Sequence, residues 1–143
     1  MINSEIKKQL KDYPNLKKYA LHFDKTGGME EIAGYLPYLV IWFRQLFEKA
    51  GIDDGEVPEL FGYDEYSDEA EDFWSWGHNS RYSNVFCGWL ADDMDYTLNL
   101  AFDLMEQYEL TDFDPDVAKI VKQEIKEHKA IMKKMKEANN DKH

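Results

Sequence analysis

Two groups of carboxylates stand close enough along the chain to act together: Asp68, Glu69, Glu71 and Asp72, and Asp92, Asp93 and Asp95. Side chains three or four residues apart on a helix point the same way, and carboxylates so paired can hold Mg²⁺ through oxygen. A metal-assisted hydrolase would use them in that way. A third run, Asp112, Asp114 and Asp116, imitates the start of a calcium-binding loop. Its sixth position is Val117 where the turn needs Gly, and its twelfth is Gln123 where a bidentate Glu belongs, so the calcium reading fails.

Glu69 and Asp72 reproduce the E-x-x-D half of the pattern used by all-helical nucleotide pyrophosphohydrolases, but no convincing E-x-x-E helix precedes them. Asp93 falls inside the apolar stripe of its helix, beside Trp89 and Leu90, and His128 falls inside the stripe of the last helix. Two such residues on buried faces can pair, the carboxylate fixing the imidazole tautomer for a general base. The same pair, satisfied within the core, would be structural only. Glu124 and His128 are four apart, whereas a di-iron site needs Glu-x-x-His and a second copy of it. Cys87 near a helix start has only His78 as a nearby base, and the simpler role for it is a small buried apolar side chain. The sequence therefore predicts no catalytic residue, no metal site and no cofactor.

Charge carries the stronger signal. Residues 51–116 hold nineteen Asp and Glu and a single cation, Arg81, a net of −18 within a chain whose total is −12. Free nucleic acid is disfavoured as a ligand, because phosphate binding needs clustered positive charge. A basic protein surface suits that centre, for instance on a nuclease or another nucleic-acid-binding protein. The stretch from Phe61 to Trp89 is dense in aromatics, including Tyr63, Tyr66, Trp74 and Trp76, and Tyr and Trp are the usual anchors of interfaces. The expected function is a non-catalytic binder or inhibitor that occludes a basic surface, of the DNA-mimic or nuclease-immunity type. Its partner-binding residues are expected to be Asp92, Asp95, Asp103, Glu106 and Glu109 with Trp74 and Trp76. A Mg²⁺-dependent nucleotide hydrolase and a homodimeric scaffold are the alternatives.

The elements that must position these residues read as helices, and the fold class expected is all-α: an irregular bundle of four to six helices in one domain over 1–143, with 139–143 frayed. No apolar run approaches a membrane span, and no secretory h-region opens the chain, so a cytoplasmic protein is expected. A short helix from Ser4 to Tyr13 ends at Pro14, and Asn15 caps a second segment carrying Leu16, Tyr19, Ala20 and Phe23. Residues 17–23 also suit a short strand. Leu36 to Ala50 is the central buried helix, closed by Gly51, with Pro37 either beginning it or kinking a longer helix from Met29. Ser67 or Asp68 caps a short turn. One long helix then runs from Arg81 to Tyr108, with Asp92, Asp95, Asp103, Glu106 and Glu109 together on one face. The last helix starts with Asp114 as N-cap and Pro115 at its first position. Its Lys119, Lys122, Lys126, Lys129, Lys133 and Lys136 lie opposite its apolar stripe.

Overall fold

The computed structural model describes residues 2–26, 36–64, 66–71, 73–74 and 85–140. Among them the fold is all-α: α1 (Ser4–Gln9), α2 (Pro14–Thr26), α3 (Leu36–Lys49), α4 (Val57–Leu60), α5 (Asp68–Glu71), α6 (Val85–Asp92), α7 (Met94–Gln107) and α8 (Phe113–Asn140), with a 3-10 turn at Leu10–Asp12. Residues 17–23, ambiguous in sequence, belong to α2. The helix number exceeds the expected four to six because α4 and α5 are single turns and the long helix is divided at Asp93.

The amphipathic stripe of α3 makes it the hub. Leu39, Trp42, Phe43, Leu46 and Phe47 recur at helical spacing and are fully buried. Burying each of these large side chains stabilises the fold by about 1.5–3 kcal/mol before entropy is counted. α3 packs against both α2 and α8, which also meet each other, while α6 and α7 cover another side of α3. Val117, Val121 and Ile125 give α8 its buried stripe.

Caps and turns explain where the helices stop. Asn3 begins α1 by accepting the Glu5 amide on its side chain at 2.8 Å. Ser67 does the same for α5, accepting from the Ala70 amide at 3.1 Å. Gly51, at φ 78°, closes α3 as a Schellman turn: its amide donates to the Glu48 carbonyl and the Ile52 amide to the Phe47 carbonyl. α7 closes with the same pattern, the Glu109 amide donating to Glu106 and the Leu110 amide to Met105. Here the left-handed position is held by Glu109 at φ 54°, a conformation that costs a side chain about 1–2 kcal/mol. Pro37 lies in the first turn of α3, where its missing N–H has no helical partner to lose. Residues 27–35, on which the longer-helix alternative rests, lie outside the described residues.

Candidate functional site

The helix that was expected to run unbroken from Arg81 to Tyr108 is interrupted at Asp93. Its backbone leaves the helix (φ −143°, ψ 68°), and its side chain turns forward to accept the Tyr96 amide at 3.1 Å, capping α7. Asp residues compete with helical hydrogen bonds in this way and so favour caps over helix interiors. Asp93 is therefore exposed, which corrects its expected place in the apolar stripe and removes its buried pairing with His128. The side chains of His128 and Cys87, and residue His78, lie outside what is described. Of the apolar stripe expected on this stretch, Thr97, Ala101 and Leu104 are buried, and the buried face extends from them to Leu98, Phe102 and Met105, whereas Leu100 is half-buried and Tyr108 exposed.

Division at Asp93 scatters the acidic face. Only Asp95, Asp103 and Glu106 remain together on α7, within an arc of about 80° at the helical period. Asp92 ends α6, and Glu109 stands beyond the end of α7. Asp95 is half-buried and accepts the Asn3 amide at 3.0 Å, so it ties the amino-terminal segment to α7. Asp92, Asp93, Asp103 and Glu106 are exposed and make no ion pair among the described residues.

Beside that junction lies a set of aromatic rings that reaches from the core to the surface. Phe86 is fully buried with Phe43, Phe61, Phe73 and Trp74 around it at 4.9–6.0 Å between centroids. Phe61 passes the contact outward to Trp89 at 5.3 Å and to Tyr96 at 5.8 Å, and these two stand 5.5 Å apart. The half-buried Trp89 donates its indole N–H to the Tyr63 hydroxyl at 3.0 Å, and the Tyr96 hydroxyl donates to the Leu60 carbonyl. These bonds fix the polar tips and leave ring surface toward solvent, Tyr96 being 41% exposed. Exposed carboxylates lie close in the chain to two of these rings: Asp64 follows Tyr63, and Asp93 accepts the Tyr96 amide.

Trp74, expected among the anchors, is half-buried against Phe47, Phe73 and Phe86, with the Arg44 guanidinium 5.1 Å from its ring centroid. Trp76 lies outside the described residues. Tyr66 is 93% and Tyr108 43% exposed, and the rings grouped at the α6–α7 junction are Tyr96 with Tyr63 and Trp89, both half-buried like Trp74. Spacing gave little sign of this grouping, because it forms only when the connection after α4 folds over the α6–α7 junction.

Asp114 was expected as the N-cap of the last helix. It lies one residue inside α8 and is 1% exposed, and its carboxylate serves a different helix. Oδ2 accepts the Asn15 amide at 3.0 Å and the Asn15 side-chain N–H at 3.1 Å, and Oδ1 accepts the Leu16 amide at 2.9 Å and the Trp42 indole N–H at 3.2 Å. The first turn of α2 begins with Pro14, so Asn15 and Leu16 are amides with no partner inside their own helix. Asp114 supplies that cap from α8 and couples it to α3 through Trp42. Every strong acceptor direction of this carboxylate is taken, so it is a structural joint. Asn15, expected as the cap of α2, is instead capped.

Glu69 lies on the single turn α5, and Asp72, the other half of the E-x-x-D pair, lies outside the described residues. Among the described residues no group of three or more His, Cys, Asp and Glu is placed to hold a metal ion. No helix among them is long and apolar enough to cross a membrane. Comparison with protein-family models, curated proteins and solved structures finds no match, so function must be read from this chain's own residues.

Proposed function

We propose that this protein is a non-catalytic acidic binding protein that occludes a basic, nucleic-acid-binding surface of a partner, in the manner of a DNA-mimicking inhibitor or a nuclease immunity protein. One observation carries the reading: exposed carboxylates that make no ion pair among the described residues stand beside a half-exposed aromatic cluster at the α6–α7 junction. Carboxylates alone give fast, salt-sensitive encounter, while large rings supply the desolvated centre that holds a complex together. A surface serving only solubility would intersperse cations among the acids, and residues 51–116 contain one. The docking surface comprises Tyr63, Trp89 and Tyr96 at its centre and Asp92, Asp103 and Glu106 at its rim.

The test is affinity capture from the native host with wild-type bait and with a bait carrying Asp92→Asn, Asp103→Asn and Glu106→Gln. The expected captured proteins are basic and nucleic-acid-binding, are displaced by moderate salt, and are lost with the neutralised bait. The neutralised protein should keep its thermal stability, since like charges three apart repel by a few tenths of a kcal/mol. Capture of the same proteins by both baits overturns the reading.

A further inference from the structure

We infer that the α6–α7 junction takes an arginine side chain of the partner, stacked on Tyr96 and bonded to the Asp93 carboxylate. This rests on the basic-partner reading above and narrows it to one residue type.

The molecule already holds one guanidinium in such a manner. Arg44 lies with its Cζ 5.1 Å from the Trp74 ring centroid while its Nη2 donates to Asp54 Oδ2 at 2.8 Å. An aromatic face and a carboxylate together satisfy the two requirements of this group, because the flat cation is weakly hydrated and stacks while its edge donates in the plane. The α6–α7 junction offers the same two parts. Tyr96 is the third residue of α7 and Asp93 is its cap, so ring and carboxylate project from one turn. Asp93 spends Oδ1 on the Tyr96 amide, and Oδ2 has no bond among the described residues. Asp92 stands next to it, exposed and also without an ion pair among the described residues. Trp89 packs against the Tyr96 ring at 5.5 Å, and the two rings are held in place by two side-chain hydrogen bonds. A lysine would gain the charge attraction but not the planar stacking and in-plane donation, so the site discriminates between the two cations.

The experiment uses the full chain with blocked hexaarginine and hexalysine peptides at low salt, read by isothermal titration and by the Trp89 indole resonance. Hexaarginine should bind about two- to fivefold more tightly than hexalysine, the size of an exposed cation–π contribution, and should shift the Trp89 indole signal. Tyr96→Leu should equalise the two peptides, and Tyr96→Phe, which keeps the ring, should retain the preference. The wild-type resonance shift needs no variant and so stands even if Tyr96→Leu unfolds. Equal affinities for both peptides, each lost on neutralising Asp92, Asp103 and Glu106, would sink the arginine assignment while leaving the acidic docking surface in place. Absence of binding by either peptide would sink both.

Discussion

Asp93 and Asp114 carry the same side chain, and both stand where one helix gives way to another, yet they end in opposite situations. Asp93 is exposed and caps its own helix with one oxygen, leaving the other to solvent. Asp114 is buried and caps a helix nearly a hundred residues away with both oxygens, adding the Trp42 indole as a further donor. The contrast separates two uses of a carboxylate. One with every lone pair engaged holds a fold together, and one half-engaged at the surface retains capacity for a partner. Acidity alone does not distinguish them; the census of donors does.

The largest effect should come from removing the buried joint. Asp114→Ala leaves the Asn15 and Leu16 amides and the Trp42 indole N–H buried without acceptors, and should cost about 3–5 kcal/mol in a denaturant melt, enough to unfold many domains of this size. A cost below 1 kcal/mol would mean that Asp114 is not the joint described. The two sites separate most cleanly under the isosteric change. Asn caps helices as well as Asp does, so Asp93→Asn should be neutral within about 0.5 kcal/mol and Asp93→Ala should cost about 1 kcal/mol. Asp114→Asn places an amide NH₂ against donors, and should cost about 2 kcal/mol or more. Equal losses for the two Asn variants would erase the distinction.

The smallest effect reports on the electrostatics around the joint. Tyr13 stacks on Phe102 at 5.7 Å, and its hydroxyl pKa is raised above the ordinary 10.0 first by burial and then by Asp12, Glu106 and Asp114. A raised pKa means that the folded state binds the proton more tightly than the unfolded chain does. Tyr13 therefore contributes no loss below pH 10, and stability falls as pH rises from there through the folded value. Tyr13→Phe should flatten that alkaline decline in a pH series of melting temperatures. Asp114→Asn should ease it only slightly, because Asp114 is the last of the four causes.

Helix content and the central place of α3 were legible because Leu39, Phe43, Leu46 and Phe47 keep one helical period and Gly51 sits at the position that needs positive φ. The Asp93 break was not, because Phe86, Leu90, Thr97, Ala101 and Leu104 still look in phase when a single residue leaves the helix between them. The acidic face inherited that error, since Asp92 and Glu109 were placed by extending the same period through both ends of α7. Asp114 was legible as a cap and not as the cap of α2, because local sequence shows that a carboxylate precedes a proline but not which amides it will meet. Tyr63 and Trp89 were visible as interface-prone types and Tyr96 was not singled out, because their grouping depends on tertiary contact that no spacing encodes.

The Asp114 cap also orders events in time. Asn15 and Leu16 are separated from their acceptor by 99 and 98 residues, so α2 is completed by a group synthesised long after it. At about 5–20 residues per second, the amides at its first turn wait roughly 5–20 s for their partner. Trp42, made in between, waits as well. Until the start of α8 is made, α2 and α3 can associate through apolar contact alone. The native joint closes only once Asp114 has been made, so a protein shortened before Asp114 should contain helices but lack the fixed packing of α2 on α3.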